Sequence, residues 1–313
     1  MSFLYNGVYY LNREVLIEAI ALSTAMKNLS KIKYLPFYFL SFLPMPILFL
    51  LIDISFLLIY HLLGYRKKIV FENLKNSFPE NNAIEIQKIA RGFYRHFCDL
   101  MFESIKGLTI SRKEIKNRLH IQNPGLVHKY LQDQRDIMLY TAHQGNWEWL
   151  IFLPLFFPYY SDTLYRPLKN SYFNGLLQLI RQRFGEHLIE ERKGYRTIVK
   201  LKEAKVPMMN SIIGDQSPSR KSAKYWYTFM NRETAFYGGP DTIAKRTDQV
   251  VLFPNFHKLR RGRYQLRFDL ITDNPRSDNG SGLVEKYLRQ LEIAIRKSPE
   301  LWLWSHRRWK LSP

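Results

Sequence analysis

The chain has 313 residues, with 47 lysines and arginines against 27 aspartates and glutamates, for a formal charge of +20. Hydrophobic residues make up 46% and aromatic ones 15%, which excludes an acidic disordered tail or a collagen-like chain and suits a folded protein with a large core. A single cysteine, Cys98, permits no intrachain disulfide, so nothing points to an oxidising compartment and the expected home faces the cytosol.

A basic chain with a pI near 9.9 is built to meet something anionic: nucleic acid, a membrane surface, or an acidic substrate or carrier. Residues 66–313 hold 43 of the cations and 24 of the anions, so the excess belongs to the body of the protein.

Met1–Ala25 lacks the charged-then-apolar order and cleavage site of a signal peptide. Met26 directly precedes Lys27, Lys31 and Lys33, and translation starting there is one reading, with residues 1–34 an extension. Leu35–Leu63 is almost wholly apolar, with Asp53 its one charged residue and Pro36, Pro44 and Pro46 breaking its start. The 17 residues from Ile47 to Leu63 would reach roughly 25 Å as a helix, a little short of the ~30 Å hydrocarbon core. Arg66, Lys67 and Lys68 make the far flank as basic as the near one, so the charge bias puts neither end outside. Residues 35–64 are therefore expected to be a membrane anchor, spanning or interfacial, with a buried core helix as the alternative.

Beyond residue 65, Ile84, Ile86, Ile89, Ala90, Phe93, Phe97, Leu100, Met101 and Ile105 recur at helical spacing and predict an amphipathic helix ending near Gly107. Strands are expected at Ile137–Ala142, Thr163–Tyr165, His187–Ile189, Met208–Ile213, Val250–Phe253 and Tyr264–Ile271. Helices are expected at Trp147–Phe157, Tyr172–Phe184, Tyr195–Ala204, Asp241–Arg246 and Leu283–Arg296. This alternation predicts an α/β fold: a mixed, largely parallel sheet flanked by helices, behind an N-terminal hydrophobic anchor helix.

In such sheets ligands bind where strands end and helices begin. The run Ile137–Ala142 leads straight into His143-Gln144-Gly145-Asn146-Trp147-Glu148, placing an imidazole at a strand end and a carboxylate in the next helix's first turn, with Gly145 allowing the turn. A carboxylate that fixes one ring nitrogen leaves the other as a base, so the pair outlines a general-base dyad. The bland alternative is a strand-end histidine and a glutamate that favours a helix start. The spacing is not that of a zinc protease helix, and neither a nucleophile elbow, a phosphate loop nor a dinucleotide fingerprint is present.

His143-Gln-Gly-Asn-Trp-Glu148 resembles the His-x4-Asp/Glu signature of the lysophospholipid and glycerolipid acyltransferase superfamily, in the form typical of the late lipid A acyltransferases of lauroyl/myristoyl type. Further agreement comes from Tyr65-Arg66, Asn73-Leu74 and Phe78-Pro79; Tyr165-Arg166-Pro167-Leu168-Lys169-Asn170; Gly214-Asp215-Gln216-Ser217-Pro218; Phe229 with Glu233-Thr234; Gly238-Gly239-Pro240 with Ile243-Ala244; and Pro299 through Lys310. The resemblance runs from about residue 35 to the carboxyl terminus, making 65–313 the acyltransferase domain. It departs after Asp215-Gln216, where Ser217-Pro218-Ser219 stands in place of the usual nearby glycine.

The resemblance implies transfer of a fatty acyl chain from acyl carrier protein to a hydroxyl of a lipid A precursor, at the cytoplasmic face of the inner membrane, without metal or other cofactor. His143 would be the base, supported by Glu148, and no covalent intermediate is required. Arg166 would meet a phosphate or developing negative charge, with Lys169 and Asn170 as weaker contacts and Asp215 orienting Arg166 or the acceptor. An aminolipid or lysophospholipid acceptor, and a non-catalytic basic membrane- or nucleic-acid-binding role, are the rivals; the partners favoured are carrier protein, anionic glycolipid and membrane rather than nucleic acid. The basic runs Lys258, Arg260, Arg261, Arg263, Arg267 and Arg307, Arg308, Lys310, interleaved with Tyr264, Trp302, Trp304 and Trp309, are expected at the membrane interface.

Overall fold

A computed structural model describes residues 32–278 and 282–311. Met1–Ala25, Met26 and the cations Lys27 and Lys31 lie outside the described residues.

The apolar segment forms two helices, α1 (Leu35–Phe42) and α2 (Met45–Leu57), the second running on into a π-helical turn at Leu58–Leu62. Pro36 and Pro46 sit in the first turns, where a missing N–H costs nothing, and Pro44 separates the two helices. Leu48, Ile52, Phe56 and Tyr60 recur every four residues and are buried. Phe39, Phe42, Leu50, Leu62 and Leu63 stay 62–76% exposed, so the segment is a one-sided apolar surface and not a core helix.

After α3 (Lys67–Ser77) comes the long α4 (Ala83–Lys106), opened by a capping box in which Asn82 accepts from Ile84 N–H and Glu85 N–H while the Glu85 carboxylate accepts from Asn82 N–H. Its buried stripe is partly polar: His96, Asp99, Glu103 and Lys106 point inward. Lys106 Nζ donates to Ser41 O and Leu43 O at 2.8 and 3.0 Å, closing the carbonyl end of α1.

The remaining elements are α5 (Arg112–Arg118), β1 (Leu119–Ile121), α6 (Pro124–Gln132), β2 (Ile137–Thr141), a 3-10 helix at Trp147–Leu155, β3 (Tyr160–Tyr165), α7 (Ser171–Gln182), β4 (His187–Glu190) and α8 (Glu191–Glu203). They continue with β5 (Met208–Ile213), β6 (Ala223–Phe229), β7 (Arg232–Tyr237), α9 (Gly239–Thr247), β8 (Val250–Arg260), β9 (Arg263–Thr272) and α10 (Gly282–Lys297). Seven strands make one sheet in the order β1-β9-β8-β2-β5-β3-β4, parallel throughout except for the β8–β9 hairpin. Alternation along β2 sends Met138 and Tyr140 into one apolar layer and Ile137 and Leu139 into the other, which is why the whole strand reads as apolar.

The expected α/β architecture is the one observed. The segment expected as a helix at Trp147–Phe157 is 3-10 instead: Pro154 removes an N–H and the bulky run Trp149–Phe152 is buried. The β6–β7 hairpin was not anticipated, because its turn residues Met230 and Asn231 both take positive φ (50° and 64°) without the glycine that would advertise it.

Most of the aromatic members of the basic–aromatic runs are not on the surface, although Arg260, Arg267, Arg307 and Lys310 are exposed. Tyr264 and Trp304 are fully buried, Trp302 and Arg308 nearly so, because large rings gain more from the core than from an interface. Lys258 Nζ and Arg261 Nε hold the buried Asp99 carboxylate at 2.8 and 2.7 Å, and Arg308 donates to Ala235 O over the Phe236 ring.

Candidate active site

The parallel pairing of β2 with β5 puts Thr141 opposite Ile213. Two residues beyond that pair on each strand stand His143 and Asp215, brought to the same level by register alone. Asp215 Oδ1 lies 2.7 Å from His143 Nδ1, and Oδ2 accepts both His143 N–H at 2.9 Å and the Trp302 indole N–H at 2.8 Å. A carboxylate only accepts, so Nδ1 carries the hydrogen and Nε2 keeps its lone pair. Gln216 Nε2 donates to that lone pair from 3.1 Å.

The carboxylate on the imidazole is therefore Asp215, and the expected His143–Glu148 bond is not the one formed. Glu148 is clasped by Arg181 of α7, whose Nη2 and Nε reach its two oxygens at 2.8 and 3.1 Å, and it accepts from Trp147 Nε1–H at 3.2 Å. The reason is directional: the 3-10 turn carries Glu148 toward α7, while Trp147 stands edge-on against the His143 ring, centroids 5.1 Å apart. Burial works against the Asp215 charge, but His143 and the three donated hydrogen bonds outweigh it and hold the carboxyl below its ordinary range. For Glu148 burial is likewise overcome, here by Arg181 and then by the nearby His143.

The turn between strand and 3-10 helix is fixed from beneath. Gly145 has φ +64°, and a Cβ there would sit 2.1 Å from Phe256 Cβ, so glycine is required. His96 Nε2 donates to Gly145 O at 3.0 Å, and Asn146 Nδ2 donates to Glu103, which also accepts from Tyr264 O–H. Burial, with Asp99 nearby, pushes the Glu103 carboxyl up to about 7, and burial lowers His96 to about 4.

Among known protein families, the model described as bacterial lipid A biosynthesis acyltransferase matches residues 32–311. The chain belongs to the lipid A biosynthesis acyltransferases. It is thus an acyltransferase of lipid A biosynthesis, as the resemblance implied, and no curated protein matched it.

For this acyltransferase the remaining expected site residues fall into two groups. Arg166 follows β3 at the same carboxyl edge of the sheet, but its side chain is 81% exposed and pairs with Glu191 at 2.8 Å, not with Asp215. Asp215 does not contact Arg166; its oxygens are held by His143 and Trp302. Asn170 caps α7 by accepting from Tyr172 N–H and Phe173 N–H, a local role that leaves Lys169 exposed beside it. Glu233 accepts from Thr228 O–H across the β6–β7 hairpin, and Thr234 accepts from Trp309 Nε1–H.

Arg181 was not singled out from the sequence, and Gln216, Trp302 and His306 stood there only within matching or basic–aromatic segments, with no role at the site expected of them. Burial lowers His306 to about 4, so it is neutral, and its Nε2 accepts from Ser217 N–H at 3.1 Å. Among the described residues no group of three His, Cys, Asp or Glu side chains is arranged to hold a metal ion.

Proposed function

We propose that this acyltransferase moves a fatty acyl chain from acyl carrier protein to a hydroxyl of a lipid A precursor, with His143 as general base and Asp215 as the carboxylate that supports it. The observation that carries the reading is the Asp215–His143 bond, which leaves the Nε2 lone pair facing outward beside Gln216. The acceptor hydroxyl takes the place of the Gln216 amide at Nε2 and gives up its proton as its oxygen attacks the thioester carbonyl. The tetrahedral intermediate then expels the carrier's thiolate, which receives that proton from the imidazolium, so no enzyme-bound acyl group forms. Glu148 holds Arg181 and Trp147 around the ring. Arg166 stands at the rim, where its exposed guanidinium suits a phosphate of the acceptor.

The same reading places the protein on the inner membrane, catalytic domain toward the cytoplasm. The open apolar face of α1 and α2 supports it. Asp53, midway along the apolar segment, pairs with Arg261 at 2.8 Å, and Arg261 also grips Asp99 on α4. A helix tied at its middle to the β8–β9 turn suits one lying in a leaflet better than one crossing it.

Deleting the gene and measuring lipid A by mass spectrometry tests the acceptor: loss of one acyl chain is expected. Unchanged lipid A under conditions of expression refutes it, and a different lipid lost instead moves the acceptor to an aminolipid or lysophospholipid. Transfer from purified acyl carrier protein tests the donor, and its efficiency should fall with added salt.

A further inference from the structure

The last described segment, from Pro299 onward, is built into the site. Leu303 N–H donates to His143 O, and Gly145 N–H donates to Leu301 O, each at 3.0 Å, so the turn carrying the histidine is stitched on both sides to this segment. The segment is itself held from below: Asn73 Nδ2 donates to Trp304 O and His306 O at 2.8 and 3.0 Å, and Arg66 donates to Ser305 O. Trp302 lies at its centre, 3% exposed, with Trp304 edge-on at 4.6 Å and Phe229 and Trp309 at 6.0 Å. Those rings leave the indole one orientation, in which Nε1–H meets Asp215 Oδ2.

We propose that Trp302 is a positioning residue for the base: its indole N–H fixes the Asp215 carboxylate so that Oδ1 takes the His143 Nδ1 hydrogen and Nε2 stays free for the acceptor. This rests on the reading of His143 and Asp215 as the base pair. Without the indole, Oδ2 keeps one donor, the His143 backbone N–H, and the carboxylate is free to turn about its bond. The indole also lends partial positive charge to the pair. Removing it makes the His143–Asp215 unit hold a proton more tightly, so the acid limb of activity moves to higher pH. The other ionisable groups facing Asp215 are Tyr140 on β2, Tyr287 on α10, and His306 and Arg308 on the same terminal segment. None of these is altered by a change confined to the indole.

Two variants of the full-length protein test this: Trp302→Phe, and 3-benzothienylalanine at position 302, in which sulfur replaces the N–H at nearly unchanged size so that folding is preserved. Each is made in the wild type and with Asp215→Asn. Expected are a fall in kcat/KM on the order of ten-fold and a rise of the acid limb. With Asp215→Asn already present, a further loss below about two-fold is expected, because the charged carboxylate that the indole orients toward His143 Nδ1 is already gone. Full activity of the benzothienyl variant overturns the proposal, as does an equal loss in both backgrounds with the acid limb unmoved, which is the signature of packing alone. Full activity of Asp215→Asn by itself removes the base-pair reading first, so the two failures are distinguishable.

Discussion

The substitution Asp215→Asn separates the spatial partner of His143, the proposed base, from its neighbour in sequence. In the wild type, Oδ2 accepts two hydrogen bonds, from Trp302 Nε1–H and His143 N–H, while Oδ1 accepts from His143 Nδ1–H alone. An asparagine therefore keeps two bonds by placing its oxygen at the Oδ2 position and its NH2 at Nδ1. That forces Nδ1 to accept, moves the ring hydrogen to Nε2 and deletes the lone pair that takes the acceptor proton. Turning the amide over to restore the tautomer forfeits two buried hydrogen bonds, about 1 to 1.5 kcal/mol each. The imidazolium formed during attack also loses its counter-charge. Together these amount to about 4 to 5.5 kcal/mol, a rate loss on the order of 10³ to 10⁴. The assay is single-turnover transfer of labelled acyl chain, with the thermal midpoint measured in parallel; the variant should fold with a midpoint within a few degrees of wild type. Glu148→Gln is the contrast, because it leaves Arg181, with its side chain 18% exposed, without its counter-charge. Breaking so enclosed a pair costs about 3 to 5 kcal/mol, so that variant should be visibly destabilised. Activity within ten-fold of wild type for Asp215→Asn, beside a stable but inactive Glu148→Gln, would refute the assignment and return the role to Glu148.

Gly145→Ala should lower both the thermal midpoint and activity, since the backbone lies at φ +64° and the new methyl overlaps Phe256; left-handed strain and overpacking cost about 1 to 3 kcal/mol each. Asp162 and Glu186 are raised to about 8 and about 7, chiefly by burial. The folded protein thus keeps protons that the unfolded chain has shed, and stability falls as pH rises from about 4 to 8. Asp162→Asn, a mimic of the neutral acid beside Asn210, should flatten that decline and gain at pH 8 but not at pH 4.5, as read from denaturant midpoints; an unchanged slope would show Asp162 to be ionised in the folded state. Leu50→Glu with Ile54→Glu alters two side chains that are 62% and 48% exposed, so the fold should survive while flotation with anionic vesicles is lost. Retained flotation would remove α2 from the membrane contact.

Period and composition made the sheet legible because each strand carries its own signal. Met208–Ile213 is observed with the bounds expected from its apolar run, and α4 and α10 each start and end within about two residues of their periodic patterns. His143 was legible too, since a histidine directly after a buried strand has one place to go. Its partner was not, because spacing along the chain reports neighbours within a turn, whereas Asp215 lies 72 residues away and arrives through the β2–β5 register. One signal was available: His143 and Asp215 each come within two residues of the end of a predicted inner strand, Ile137–Ala142 and Met208–Ile213. Trp302 had no such mark. A tryptophan among arginines looks like an interface, and only packing reveals that its ring faces inward.

The same distinction governs the charge. Lys258, Arg261, Arg308 and Arg181 contribute to +20 on paper, yet each is committed to an internal carboxylate or carbonyl and has little left for a partner. Their work is to make polar interiors tolerable: Asp99 on α4 and Glu148 near His143 would each be a costly buried anion without them. What an acidic carrier protein or a phosphorylated acceptor can meet is the exposed remainder. At the carboxyl edge of the sheet that remainder includes Arg166 and Lys169, and Arg192, Lys193 and Arg196 follow in the first turns of α8. Long-range attraction should therefore depend on Lys169, Arg192, Lys193 and Arg196, and on the exposed Arg260, Arg307 and Lys310, far more than on Arg166, Lys258, Arg261 or Arg308, because a cation already neutralised within a few ångströms adds little field beyond a Debye length of about 8 to 10 Å.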